Sequence, residues 1–367
     1  MKNLNTNYYC VIMAGGSGTR FWPMSKSTKP KQFIDILGEG KTLIQKTYNR
    51  FLNICPQKNI FIVGNANHYN LIKQQLPELS DSQIILEPTR RNTAPCIAYA
   101  TYKIKQQNPN AVVVVAPSDH RILNEKVFTE VILSGLEAVS TQDWLLTIGI
   151  RPSYPNTGYG YIQYDFEEQP YPTNNSIFPV KTFTEKPELQ MAKKFIECGD
   201  FLWNAGVFMW SLKTIQQAFH MYLPEIDQLF AQGEQFYNTP KEKNFIKKIY
   251  GICKNISIDY GILEKADNVF VYAADFGWSD IGTWGALHEI RTKDENQNSI
   301  IGKKVKTYNT KRSIIHVPKD KIVVIQGLED YIVVENDNIL LICKKEDEQQ
   351  IRQYVNDVQI DFGEKYI

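Results

Sequence analysis

The 367-residue chain carries 41 basic and 40 acidic residues, a formal net charge of +1, so no global field recruits nucleic acid or an anionic membrane, and any affinity for a polyanion has to be local. The length suits roughly two or three domains around a sizeable core, and no apolar run approaches the roughly 18 residues of a membrane span. The N-terminal MKNLNTNYYC lacks the apolar core and small-residue cleavage site of a secretory signal, and six scattered cysteines without a CxxC pair suit a reducing cytoplasm.

Residues 8–14 form an apolar run predicted as a buried strand, and it stops at Gly15-Gly16-Ser17-Gly18. Glycines there let the backbone turn tightly and approach a ligand, and successive N–H groups in such a loop can hold an anion. Arg20 adds a planar charged fork and Lys31 a compact ammonium, both suited to phosphate oxygens. The loop therefore reads as a triphosphate cradle. A dinucleotide fingerprint would need glycine or alanine where Phe21 stands, and a Walker loop would need Gly-Lys-Ser/Thr after four spacers.

Helical periodicity follows over 42–54, a strand at NIFIVG, a helix over 66–76 and a short strand at QIILE. The segment Glu87-Pro88-Thr89-Arg90-Arg91-Asn92-Thr93 ends that strand and opens a helix over 93–106. Its polar side chains suit the edge of a base, and equally a capped helix start with Asn92 or Thr93 at the cap. AVVVVAPSDH is too apolar for an edge strand, and Asp119 at its end suits Mg²⁺ coordination or a simple turn. A helix over 125–140 and the strand WLLTIGI complete the first half. Alternating strands and helices predict an α/β fold with a mostly parallel sheet wound on both faces, whose ligands bind beyond the carboxyl ends of the strands.

From 151 to 290 the pattern loosens into Gly-, Pro- and aromatic-rich strands with two or three helices. Glu185 in Phe183-Thr184-Glu185-Lys186-Pro187 has acceptors for sugar hydroxyls and Lys186 the charge for a sugar phosphate, though a solvated strand end accounts for both. Asn204 suits a turn, and Asp280 a metal or the cap of a helix starting near Ile281. A polar connector, 291–298, precedes short strands over 299–343, predicted as a small β-roll or β-helix, and a helix over 345–356. The domains expected are 1–290 and 291–367.

GGSGTRFWPMS…KPK resembles the signature of sugar-nucleotide pyrophosphorylases, and EPTRRNTAPCIA, PSDH, FTEKP, WNAGVFMW and FGWSDIGTW resemble its mannose-1-phosphate guanylyltransferase branch. The similarity runs in order from about Val11 to about Leu287. It implies a Rossmann-like nucleotide-diphospho-sugar transferase fold with a left-handed β-helical tail used in homodimer contacts. It implies a cytoplasmic, Mg²⁺-dependent enzyme that makes GDP-mannose and pyrophosphate from GTP and mannose 1-phosphate by in-line attack. It assigns Gly15, Gly16, Ser17, Gly18, Thr19, Glu87, Arg91 and Asn92 to the nucleotide, and Arg20 and Lys31 to catalysis. Asp119 and Asp280 fall to the metal, and Gly158, Glu185, Lys186 and Asn204 to the sugar phosphate. Another hexose 1-phosphate or nucleotide, or a regulatory subunit that binds without turnover, is the alternative; a subunit of that kind should have lost the loop cations or the aspartates, and all are present.

Overall fold

The computed structural model describes residues 4–16, 18–166 and 176–367. Two compact units emerge, and neither is continuous along the chain. The first comprises Met1–Gly15, Thr47–Ser118 and Ile122–Trp278; the second comprises Gly16–Lys46, Asp119–Arg121 and Ser279–Ile367. By contacts, residues 16–46 and the Asp119 turn cluster with the segment that follows residue 278.

The first unit is built on one nine-stranded sheet. Its strands are β1 (Tyr8–Met13), β2 (Ile60–Asn65), β3 (Ile84–Glu87), β4 (Val112–Pro117), β5 (Leu145–Ile150), β6 (Gly160–Tyr164), β7 (Ile177–Glu185), β8 (Phe201–Ser211) and β9 (Val269–Ala274). Their order is β3-β2-β1-β4-β8-β5-β9-β7-β6. The block β3-β2-β1-β4 is parallel, as is β5 with β9. Strand β8 lies antiparallel between β4 and β5, so the sheet is mixed rather than uniformly parallel beyond β4. Both faces of its centre are covered. Val113, Val115 and Trp210 pack in one cluster with the helix Thr93–Lys105, while Met209 and Leu146 lie against Gly135 of the helix Glu125–Thr141. Alternate residues of one strand thus serve opposite layers, and a continuous apolar run such as β4 is the consequence.

The second unit contains β10 (Ser299–Ile301), β11 (Lys304–Tyr308), β12 (Ile314–His316), β13 (Ile322–Gln326), β14 (Tyr331–Asn336) and β15 (Ile339–Lys344). Ser299 pairs with Ile314 and Ile314 with Ile332, all in parallel, while Lys304 pairs in parallel with Ile322. Successive turns of chain thus stack as the rungs of a β-helix, closed by the antiparallel β15 on β14. Ile314, Ile332, Val334 and Leu341 from these rungs join Phe21, Trp22, Ile281, Trp284, Ile351 and Val355 in one core. The last helix runs Ile351–Phe362, later than its expected start at 345. The acid- and amide-rich Lys345–Gln350 forms a 3₁₀ segment with no buried residue, and the α-helix begins where Ile351 and Val355 can be buried on one face. No helix among the described residues is long and apolar enough to cross a membrane.

Candidate functional site

In the second unit, one cleft of about 270 Å³ is lined by Gly18, Thr19, Arg20, Phe21, Lys31, Asp119, His120, Asp280, Gly282 and Arg352. Five segments distant in sequence meet there. Gly18 makes the first possible: it has φ 61, and a Cβ on it would sit 2.7 Å from Lys31 Cβ and from Ser25 Oγ. Only glycine suits that backbone and that space. The chain then forms a 3₁₀ turn, Thr19–Phe21, with Phe21 buried beneath and Arg20 on the cleft. Gln32 is buried and donates from Nε2 to the Gly16 carbonyl, 3.1 Å away, fixing the other end of the loop. Ser17 lies outside the described residues.

Lys31 is the hub. Its buried ammonium lies 2.8 Å from Asp119 Oδ2 and donates to the carbonyls of Asp280 and Ile281, each at 2.9 Å. All three ammonium donors are matched by three acceptors. Sequence spacing left open whether Asp119 and Asp280 meet, and Lys31 is what joins them. Burial raises the Asp119 carboxyl, but Lys31, helped by His120, outweighs it and holds the group below its ordinary value. Asp280 Oδ1 accepts from the Gly282 N–H at 2.8 Å. Ile281 between them is fully buried at φ 44, a sparsely populated conformation for a β-branched residue. The core that swallows its side chain holds the strained turn, and that turn presents two carbonyls to Lys31.

Arg20 is treated differently from Lys31. Its Nε is buried without a hydrogen-bond partner among the described residues. Burial, and next the neighbouring Arg352, lower its guanidinium from the usual value, against the opposite pull of Asp280 and Glu348. Sequence reading passed over Arg352, because a charged residue on a charged C-terminal helix carries no local signal. Among the described residues no group of three or more His, Cys, Asp or Glu could hold a metal ion unaided. Asp119 and Asp280 supply two hard oxygen donors to one cleft, which fits a divalent ion completing its shell with water and phosphate oxygens.

The first unit holds the other expected residues. Glu87 is buried at the end of β3, 3.1 Å from the Tyr250 hydroxyl, and burial pushes its carboxyl up to about 7. A Cβ on Gly15 would lie 3.4 Å from Glu87 Oε2, so the end of β1 and this carboxyl are neighbours. Arg91 donates from Nε to the Tyr250 carbonyl at 2.9 Å and from Nη2 to that of Gly251 at 3.4 Å, so most of its fork is committed to the backbone. Asn92, at φ 66, caps the helix Thr93–Lys105, its Oδ1 accepting from the Thr93 N–H at 2.9 Å. The capping alternative is therefore realised there.

A second group in this unit surrounds Glu185. Glu185 pairs with Lys186, which sits at φ 50 before Pro187 and donates its N–H to the Tyr159 carbonyl at 3.2 Å. A Cβ on Gly160 would lie 2.5 Å from Glu185 Oε2, whereas one on Gly158, expected beside the sugar, would meet only Asn156. Asn204 Oδ1 accepts from the Gly206 N–H at 3.0 Å and the Thr147 hydroxyl at 3.3 Å, and Nδ2 donates to Asp259 Oδ1 at 2.9 Å. Asp259 is the carboxylate that sequence reading missed, since SIDYG has no metal or catalytic spacing to announce it. Burial, and then Glu185, push it up to about 6. Its segment also joins the two groups, because the Ile258 N–H donates to Thr93 Oγ1 at 2.8 Å and the Ile256 carbonyl accepts from Ala94 at 3.1 Å.

Residues 9–297 match the nucleotidyl transferase family model. The chain belongs to that family. Residues 303–358 match the MannoseP isomerase/GMP-like β-helix domain, the region of stacked rungs. The chain is similar to an Escherichia coli mannose-1-phosphate guanylyltransferase, 33% identical over 360 residues, covering 95% of this chain and 75% of that protein. It is 30% identical over 351 residues to the alginate biosynthesis protein AlgA of Pseudomonas aeruginosa, covering 95% and 71%. Among solved structures, a Thermus thermophilus protein described as mannose-1-phosphate geranyltransferase superposes with a TM-score of 0.85 at 27% identity, covering 96% of this chain and 100% of that one. A Helicobacter pylori mannose-6-phosphate isomerase shares the fold, with a TM-score of 0.58 at 22% identity over 74% of this chain and 99% of that one. The family's fold and the sequence expectation agree.

Proposed function

We propose that the protein is a mannose-1-phosphate guanylyltransferase, making GDP-mannose and pyrophosphate from GTP and α-D-mannose 1-phosphate. The observation that carries this reading is the cleft where Arg20, Lys31, Asp119 and Asp280 converge, on a chain whose relatives bear that name. An oxygen of the sugar phosphate attacks the α-phosphorus of GTP in line. The bond to the bridging oxygen breaks, and pyrophosphate leaves with the electron pair. The attacking monoester is already ionised, so no general base is needed, and positioning with charge neutralisation does the work.

Arg20 and the loop from Gly15 to Thr19, Ser17 included, hold the departing phosphates. Lys31 acts chiefly by fixing Asp119 and the 280–281 turn in place, since its donors are engaged. Mg²⁺ held by Asp119 and Asp280 would screen charge on the phosphate oxygens. Glu87, the amide of Asn92 and the remaining Nη1 of Arg91 read the base edge. Glu185 and Asp259, with Asn204 orienting the latter, take sugar hydroxyls, and Lys186 takes the sugar phosphate with Gly158 and Gly160 beside it. The six free cysteines suit the cytoplasmic location we propose for the protein. A homodimer formed through the β-helix is supported by Ile322, Val324, Leu340 and Ile342, which stand exposed on its strands.

The test is pyrophosphate release with GTP and mannose 1-phosphate, beside wells holding glucose 1-phosphate or ATP, with EDTA as the metal control. Release confined to the GTP–mannose well and abolished by EDTA is expected. Release in another well would remove the substrate assignment, and binding of GDP-mannose without turnover would make the chain a regulatory subunit.

A further inference from the structure

Arg352 opens the helix Ile351–Phe362, which follows the β-helix. Its place is fixed from both sides. Ile351 before it is fully buried with Phe21, Ile281 and Trp284, and Val355 one turn on joins the same core. Beyond the helix, the Tyr366 carbonyl accepts from Trp22 Nε1 at 2.7 Å and the Ile367 carbonyl from Ser27 Oγ at 2.9 Å, so the segment is also tied to the chain just past Arg20. Arg352 is thereby held on the cleft that Arg20, Asp119 and Asp280 line.

Two guanidiniums at one cleft repel each other, against the opposite pull of Asp280 and Glu348 on Arg20. Among the described residues neither Arg20 nor Arg352 makes an ion pair, and Arg20 Nε is buried without a partner. The carboxylate of Glu348, one turn before Arg352, is occupied by the Gly285 N–H at 2.7 Å. Such an arrangement is stabilised when a polyanion enters and accepts from both forks. A monoanion would leave one of the two positive charges unneutralised. A pyrophosphate-like group spans two arginines, and its oxygens are the ones that leave in the reaction proposed above.

We propose that Arg352 is a phosphate-binding residue which, with Arg20, grips the β- and γ-phosphates of the nucleotide. The C-terminal helix then belongs to the substrate site, beyond any part it takes in assembly. This rests on the nucleotidyl-transfer reading of the cleft.

The test uses the full chain as wild type, Arg352→Ala and Arg352→Lys, measuring calorimetric affinity for inorganic pyrophosphate, steady-state constants for each substrate and Tm. Arg352→Ala should weaken pyrophosphate binding and raise the KM for GTP by roughly 10- to 100-fold, the worth of a charged hydrogen bond. The KM for mannose 1-phosphate and the Tm should not move, and Arg352→Lys should recover part of the loss. Unchanged pyrophosphate affinity in Arg352→Ala overturns the inference alone. So does a loss shared equally by both substrates together with a lowered Tm, which lysine fails to recover. Wild-type protein that binds no pyrophosphate and turns over no GTP overturns the reading of the cleft and this inference with it.

Discussion

The cleft of the second unit and the Glu185 group of the first carry opposite kinds of unbalanced charge. In the cleft two guanidiniums face a space with no ion-pair partner among the described residues, and burial with a like neighbour makes the Arg20 charge harder to keep. Around Glu185 two carboxylates gather, and burial with a like neighbour makes the Asp259 charge harder to keep. The same two causes act with opposite sign. A surplus of buried donors favours phosphate oxygens, and a surplus of acceptors favours hydroxyl hydrogens. On the proposed reading, the cationic cleft serves the phosphates and the carboxylate group the sugar hydroxyls of the reaction.

The largest effect should come from breaking the one balanced centre in the cleft. Lys31→Met keeps length and bulk but leaves the Asp119 carboxylate, and the carbonyls of Asp280 and Ile281, without their donor. We expect kcat to fall roughly 10²–10³-fold, comparable to losing a fixed donor at a transition state. Stability should fall by about 2 kcal/mol, less than for a sealed pair because Asp119 is partly exposed. The acid limb of Asp119 should also move upward, since Lys31 is the main group holding its carboxyl down. An unchanged kcat would mean that the two aspartates do not need to be held together.

How much of this was legible in the sequence follows from the range over which each signal acts. The glycine loop, the buried strands and the β-rich tail rest on local pattern, and β1, β4 and the rungs β10–β15 form within a few residues of where periodicity puts them. The convergence of Gly18, Lys31, Asp119 and Asp280 depends on long-range packing, and only the family resemblance gave reason to expect it. Arg352 and Asp259 were missed because each is an ordinary charged residue in its own segment, made special by neighbours far along the chain. Gly158 and Gly160 differ only in what lies opposite them, which no one-dimensional pattern records. Strand β8 lies in the Gly-, Pro- and aromatic-rich stretch where the pattern loosens, and its direction between β4 and β5 is set by chain connections rather than composition.

A moderate effect sharpens the other side of the comparison. The Asp259 carboxyl titrates near about 4 in an unfolded chain and is pushed up to about 6 in the fold. The folded state therefore favours the protonated form. Its contribution to stability is complete below the unfolded value and is lost as pH rises through about 6. Asp259→Asn keeps an acceptor for Asn204 Nδ2 and never acquires the charge. Its Tm relative to wild type should therefore rise between pH 4 and pH 7, while the KM for the sugar phosphate rises about tenfold from the lost charged acceptor. A Tm difference that stays flat across that range would show that the fold does not raise the Asp259 carboxyl.

The smallest effect concerns a residue that carries no charge. Asn92 spends its oxygen on the Thr93 N–H while holding φ 66, so its NH₂ group is the part that suits a base acceptor. Cap and contact can be separated by comparing two substitutions. Asn92→Gly tolerates the positive φ and serves moderately as a cap, so stability should drop by only a few tenths of a kcal/mol. Asn92→Ala loses the cap and strains the backbone, at about 1–2 kcal/mol. Both lose the NH₂ group, so both should raise the KM for GTP by roughly 2- to 10-fold, the range for a neutral hydrogen bond. Equal KM shifts with unequal stabilities would assign a neutral amide to the base, alongside cations for phosphate and carboxylates for sugar. A KM that follows stability instead, unchanged in the glycine variant and raised only in the alanine one, would make Asn92 a cap and leave the base to Glu87 and its neighbours.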